Sequence, residues 1–383
     1  MSGAREPSAI VVGAGPAGLA VAACLKQQGL SCTILEQAGA VGWSWRNHYE
    51  RLHLHTDKAH SELPGLPFPK TYPRYPSRRQ VLEYLEAYAR HHDLQPRLGQ
   101  RVLGARLEGE GWEVRTADSL LHAGSLIVAG GYNNRPNLPT WPGQEGFRGR
   151  ILHSSEYRSG ADFHGQRVLV VGLGNSGGEI AIDLWEQGAR TTSLAVRSPV
   201  NVIPKEVFGV PFLTVAISQR RLPPPLADAL NAPLTRALVG NLEPYGLRRP
   251  PQGPVTQIHR LGRVPFIDTG TIKLIKQGQV KVFPGIQRFV EDGVVFTDGR
   301  REAFDAVVLA TGFRPAVGEW LHDAGVALDQ DGAPAASGRE SARPGLYFCG
   351  YYVSPTGMLR EIALEAQAIA KAVAERQKAV VPA

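Results

Sequence analysis

The sequence predicts an α/β protein built from two Rossmann-like dinucleotide-binding domains, the second inserted into a discontinuous first. Three observations carry that expectation. The stretch AIVVGAGPAGLAVAACLKQQGLSCTILEQ at 9–37 reads as strand, glycine turn, helix and strand, and VLVVGLGNSGGEIAIDLWEQGARTTSLAVRS at 168–198 repeats the pattern. Late in the chain, FDAVVLATGFRP at 304–315 and GLYFCGYYVSPTGMLREIALEAQAIAKAV at 345–373 supply further strands and a long helix starting near Met358.

With 43 glycines in 383 residues, a GxGxxG spacing is weak by itself. Context gives it weight, because each copy follows an apolar β-branched run and opens a helical one. Gly13 and Gly172 permit the tight turn, and Gly15 and Gly174 let a pyrophosphate come against the backbone. Gly18 and Gly177 let the helix sit close on the strand. The first helical turn, with Pro16 and Ala17 in one copy and Asn175 and Ser176 in the other, offers free N–H groups to phosphate.

The two copies differ at the end of the second strand. Glu36, followed by Gln37, stands where an acid accepts hydrogen bonds from a ribose 2'-hydroxyl, which implies FAD or NAD. The second copy ends VRS, so Arg197 and Ser198 replace the acid; a guanidinium clasps a 2'-phosphate, which favours NADP(H). Two dinucleotide sites in one chain point to electron transfer between cofactors, with FAD in the N-terminal unit and NADPH in the inserted one.

Thr311 and Gly312 end a strand where backbone passes close beside a dinucleotide, and Gly350 is assigned to the same contact. The helix from Met358 aims its positive end at the flavin. The expected division is residues 1–145 and 286–383 for the FAD part and 146–285 for the NADP part.

Composition narrows the partners. Hydrophobic residues make up 43% of the chain and charged ones 20%, as in a globular protein of two or three domains. The net charge is +7, but Lys and Arg are scattered among acids, which argues against nucleic acid and for phosphate-bearing cofactors. Cys24, Cys32 and Cys349 form no CxxC pair and suit a reducing cytoplasm. The N-terminal stretch is not expected to act as a signal peptide, and no apolar run reaches membrane-spanning length. VFGVPFLTVAIS at 207–218 is too short to span; it is expected to pack on the protein, with lying on a membrane surface as the other reading. His53 and His55 in HLH share one side of an expected strand but lack a third ligand, so no metal is expected. A homo-oligomer is compatible with everything above.

Between the glycine-rich units lies FRGRILHSSEY, residues 147–157, with Phe147, Gly149, His153 and Tyr157 in the pattern FxGxxxHxxxY. This resembles the fingerprint of the class B flavin monooxygenases, and the order GxGxxG, fingerprint, GxGNSG, ATGF is similar to that family's. The residues alone leave His153 either a core histidine or a hydrogen-bond partner across the domain junction. The segments YERLHLHTDKAHSELPGLPFPKTYPRYPSRRQVLEYLEAYA (49–89), AVRSPVNVIPKE, YGLRRPPQGP and VKVFPGIQRF resemble the YUCCA-type indole-3-pyruvate monooxygenases.

That resemblance implies an NADPH-dependent flavin monooxygenase that forms a C4a-(hydro)peroxyflavin and inserts one oxygen atom from O2 into a small organic substrate. The substrate is an indolic 2-oxo acid losing its carboxyl group, or a soft S or N nucleophile, or a ketone. The rival reading is an FAD/NADPH-dependent reductase without a redox disulfide. The stretches GWSWRNHY and GYYVSPTGMLREI depart from the family pattern, which leaves the substrate less defined than the cofactors. Residues expected at the flavin are Trp45, Arg46, Leu52 and His53. Trp43, Trp45, His53, His55, Met358 and Arg360, with Phe68 and Tyr72, are expected to line the substrate pocket.

Overall fold

The apolar β-branched runs become the central strands of two parallel sheets, as expected of strands buried on both faces. In this computed structural model, residues 7–322, 325–329 and 332–380 are described. The first sheet runs in the order Cys32–Leu35, Ala9–Val12, Ser125–Val128, Leu346–Phe348, all parallel. The second runs Val280–Phe283, Thr191–Ala195, Arg167–Val171, Ala306–Leu309, Arg150–His153, again all parallel. Ser125–Val128 and Ala306–Leu309 are completely buried along their length.

The first unit is completed from the far end of the chain. Leu346–Phe348 joins its sheet, and the helix Met358–Val380 packs along Pro16–Gln27. Ala366, Ile369, Ala370 and Val373 of the later helix share one apolar core with Leu19, Val21 and Leu25 of the earlier one. An antiparallel sheet of Gly104–Glu108, Gly111–Arg115 and Leu120–Ala123 flanks this unit.

The expected division at 286 differs from the pairing. Ala306–Leu309 lies between Arg150–His153 and Arg167–Val171, so the chain leaves the second sheet only after Leu309. An antiparallel sheet of Ile286–Val290, Gly293–Phe296 and Arg301–Ala303 precedes that strand and shares a core with it through Phe289, Phe296 and Val307. Residues 1–6 and 381–383 of the expected FAD part lie outside the described residues.

Two segments cross between the sheets and run side by side, Arg135–Pro136 pairing antiparallel with Phe313–Arg314. A helical insert of Phe212–Ser218, Pro224–Val239 and Pro254–Leu261 lies between the parallel-paired strands Val202–Pro204 and Phe266–Asp268. Among the described residues no helix is long and apolar enough to cross a membrane.

Candidate active site

The two glycine turns have the same construction. A Cβ on Gly18 would stand 1.8 Å from the Gly13 carbonyl oxygen, and one on Gly177 would stand 2.1 Å from that of Gly172, so neither helix could sit where it does with a side chain there. At Gly15 and Gly174 the opposite holds, since a Cβ would meet nothing within 4 Å. Each helix therefore begins beside open space, with its first N–H groups free for an anion.

Glu36 is buried at the end of its strand, and the backbone fixes it. Ala14 N–H donates to one carboxylate oxygen at 2.8 Å and Ala38 N–H to the other at 2.9 Å. The carboxylate lies in the wall of a cavity of about 1450 Å³ together with Gly13, Gly15, Pro16, Ala17 and Gln37. Open space at the turn and a fixed acid at the strand end are the arrangement an FAD pyrophosphate and its unphosphorylated ribose require.

The same cavity continues past Trp43, Trp45 and His55 to Gly350 and the start of the last helix at Met358 and Arg360. It reaches Asn175 of the second turn, whose side-chain oxygen accepts the Ile267 N–H at 2.9 Å. Beyond that, Phe212, Leu213, Ala216, Ile258 and Ile267 form an apolar lobe with Arg220 and Arg221 in its wall. Both dinucleotide turns thus border one continuous space.

Several expected residues stand elsewhere. The Arg46 guanidinium pairs with Glu86 at 2.5 Å. Leu52 packs against the core of the second unit, and His53 sets its Nδ1 2.7 Å from the Arg51 carbonyl. The HLH stretch is not a strand: only His53 bridges, to Ser77, so the alternation expected of His53 and His55 is broken and His55 alone enters the cavity. Thr311 Oγ1 donates to the Asn137 carbonyl and Asn137 N–H to the Gly312 carbonyl, which ties both residues into the crossing segments and outside the cavity wall. Phe68 stacks on Tyr84 with centroids 3.9 Å apart, and Tyr72 donates to Glu83 at 3.0 Å; neither lines the cavity.

In the second turn, Gly172, Gly174, Ser176 and Gly177 border the cavity only through Asn175 between them. Arg197 and Ser198 are exposed at the strand end, and the Arg197 guanidinium is in no ion pair among the described residues. Lys205 instead lies over the Tyr75 ring, 3.8 Å from its centroid.

The fingerprint residues brace the chain where it enters the second sheet. Phe147 meets Phe289 edge to face, and a Cβ at Gly149 would stand 2.4 Å from the Phe147 ring and 2.7 Å from the Asp305 carbonyl oxygen. His153 is buried. Ser155 N–H donates to its Nδ1 at 3.1 Å, so the ring proton resides on Nε2 and is donated to the Gly312 carbonyl, also 3.1 Å away. Burial pushes this imidazole below its ordinary pKa despite the Gly312 bond, which keeps it neutral. Tyr157 donates to Asp183 at 2.7 Å, and the same carboxylate oxygen accepts the Gly160 N–H at 2.8 Å.

One buried polar cluster borders the cavity without a signal in the sequence motifs. Glu179, buried on the helix Asn175–Glu186, accepts from Thr269 Oγ1 at 3.0 Å, Arg51 Nη1 at 3.1 Å and His55 Nε2 at 3.2 Å. Burial raises its pKa, but the His55 hydrogen bond and charge, the Arg51 charge and the Thr269 bond outweigh it and hold the carboxyl below the usual range. The available signal was Glu179 and Asp183, one turn apart on the buried face of a helix that must pack on a sheet.

Residues 10–207 match the family described as pyridine nucleotide-disulphide oxidoreductase. Indole-3-pyruvate monooxygenase YUCCA1 of Oryza sativa is 42% identical over 352 residues, 90% of this chain and 86% of its own. Probable indole-3-pyruvate monooxygenase YUCCA3 of Arabidopsis thaliana is 38% identical over 384 residues, covering 96% of this chain and 87% of its own. The flavin-containing monooxygenase of Stenotrophomonas maltophilia superposes with a TM-score of 0.74 at 25% identity, over 98% of this chain and 100% of that one.

Proposed function

This chain belongs to the pyridine nucleotide-disulphide oxidoreductase family and, within it, to the YUCCA-type flavin monooxygenases, and we propose that its substrate is an indolic 2-oxo acid, converted to the acetic acid with loss of carbon dioxide. By that membership it is an oxidoreductase that uses FAD, NADPH and molecular oxygen. FAD, once bound, accepts hydride from NADPH and activates oxygen for transfer.

The observation that supports the substrate class is the apolar lobe beyond Asn175. Phe212, Leu213, Ala216 and Ile258 offer apolar side chains to the cavity wall, which suit an indole ring. Arg220 and Arg221 stand in the same wall, are in no ion pair among the described residues, and suit a carboxylate. Arg360 lines the cavity but is held by Glu361 at 2.9 Å, so its role is to fix the start of the last helix. Arg51, Arg74 and Arg78 are likewise engaged, by Glu179 and Glu186, by Glu206, and by the Arg46 carbonyl.

Assignments to individual residues follow. Gly13, Gly15, Pro16, Ala17, Glu36 and Gln37 hold the FAD diphosphate and ribose, and Trp45 and Gly350 flank the ring. Gly172, Gly174, Asn175 and Gly177 receive the NADPH diphosphate, and Arg197 with Ser198 its 2'-phosphate. A reductase relying on cysteine chemistry is disfavoured, because burial pushes the thiols of Cys24 and Cys32 up to about 11 and raises that of Cys349 well above its ordinary value. The three free thiols also suit a cytoplasmic setting.

The test is NADPH-dependent oxygen consumption by the FAD-loaded enzyme with indole-3-pyruvate, a ketone, a sulfide and an amine. The proposal expects indole-3-pyruvate to be turned over fastest, giving indole-3-acetate. Preferential turnover of the sulfide or amine with no reaction of the 2-oxo acid would overturn it.

A further inference from the structure

The helical insert that walls the apolar lobe on its inner side has an unpartnered outer side. On the helix Pro224–Val239, Leu226, Leu230, Leu234 and Leu238 recur at every fourth position and are each between 38% and 57% exposed. Ala229, Pro233 and Ala237 fill the gaps between them and are exposed as well. The result is an apolar stripe about 18 Å long from Leu226 to Leu238 at the helical rise. Monomeric surfaces seldom show a continuous apolar strip of this kind without a partner.

The neighbouring helix Pro254–Leu261 packs against this one and ends in exposed Leu261 and Val264, bracketed by exposed Arg260 and Arg263. The charge of the insert is one-sided. Residues 212–264 hold seven arginines, no lysine, and only Asp228 and Glu243 as acids, so five of the chain's formal +7 charges lie in this segment. Asp228 is itself engaged, accepting the Val255 and Thr256 N–H groups at 2.8 and 2.9 Å.

Several arginines elsewhere on the surface are paired, as Arg46 is with Glu86, Arg79 with Glu83, Arg167 with Asp305 and Arg301 with Asp292. Among the described residues Arg236, Arg260 and Arg263 are in no ion pair. An apolar helix face edged by uncompensated guanidiniums matches the interface of a bilayer that carries anionic headgroups. A second copy of the same face would set arginine against arginine.

We propose that the outer face of the helices 224–239 and 254–261 seats the enzyme peripherally on an anionic lipid surface, with the leucine stripe at the level of the acyl boundary and Arg236, Arg260 and Arg263 on the headgroups. The leucines of the stripe are outside the cavity wall, while Ala227 and Asn231 of the same helix are inside it.

The test is co-sedimentation of the FAD-loaded full chain with phosphatidylcholine vesicles, with and without phosphatidylglycerol. Binding is expected only when phosphatidylglycerol is present, and added salt is expected to release the protein. Leu230→Glu with Leu234→Glu should abolish binding. Arg236→Gln with Arg260→Gln should weaken it about 25-fold, roughly fivefold for each cation lost. Both double variants should retain FAD and NADPH consumption, and the arginine pair serves alone if the leucine pair does not fold. Vesicle binding that is absent, or indifferent to phosphatidylglycerol, overturns the proposal. So does a dimer in sedimentation equilibrium that the leucine variant converts to monomer, which would give the face to a second copy.

Discussion

His55 Nε2 lies 3.2 Å from a carboxylate oxygen of Glu179, and this contact joins the cavity wall near the first glycine turn to the helix that starts at the second. Arg51 reinforces it by bonding Glu179 at 3.1 Å and gripping Glu186 with two nitrogens at 2.8 and 3.0 Å. The imidazole that borders the cavity is therefore oriented by a residue of the other unit. Glu179→Ala leaves Arg51 to Glu186 alone and removes a buried acceptor from Thr269 and His55, so unfolding free energy should fall by about 1–3 kcal/mol, read from urea midpoints. An unchanged midpoint would show that the cluster carries no structural weight.

Glu36 has both oxygens anchored by backbone N–H groups, so its position does not depend on the cofactor. Glu36→Ala should weaken FAD binding about tenfold or more, the effect of losing hydrogen bonds to a charged acceptor. Equilibrium dialysis of the apoprotein against FAD measures this directly.

Arg197, just past the end of Thr191–Ala195, is exposed and is in no ion pair among the described residues. Arg197→Ala should raise KM for NADPH about tenfold or more and leave KM for NADH nearly unchanged. Equal changes for the two nucleotides would remove the 2'-phosphate assignment.

The Gly149 backbone passes under the Phe147 ring with no room for a side chain. Gly149→Ala should cost about 1–3 kcal/mol of stability, because neither the ring nor the Asp305 carbonyl can retreat without moving the sheet edge. Thermal unfolding of the variant supplies the value.

Stability should also fall in acid through histidine. Burial, aided by Arg78 and Arg158, lowers the His48 pKa from 6.5 to about 4, and burial lowers that of His153. The unfolded chain then binds protons that the folded one refuses. The stability is fully present above pH 6.5 and is lost as pH falls from there through about 4. His48→Gln should flatten this part of the urea-midpoint curve, while an identical curve would show that His48 takes no part in it.

The sequence made legible what is local and periodic. Both glycine turns, Glu36 at its strand end and the return of the C-terminal segment to the first sheet follow from apolar runs and turn chemistry within short windows. It left illegible what depends on distant partners. Glu179 meets His55 and Arg51 more than a hundred residues away, and Arg46 is diverted by Glu86 on a facing helix. His53 misled because LHLHT alternates like a strand without being one; the bridge to Ser77 turns His53 outward. Ala306–Leu309 pairs in the second sheet although it falls in the range expected for the FAD part, and a completely buried parallel strand reads the same in either.

The central claim is that this chain transfers one atom of molecular oxygen to an indolic 2-oxo acid at the expense of NADPH. The direct measurement is turnover of indole-3-pyruvate under oxygen-18 gas, with mass analysis of the product and a count of NADPH consumed. The account expects indole-3-acetate bearing one labelled oxygen in its carboxylate, carbon dioxide, and one NADPH oxidised for each product formed. NADPH oxidation that yields hydrogen peroxide and unlabelled substrate would contradict it.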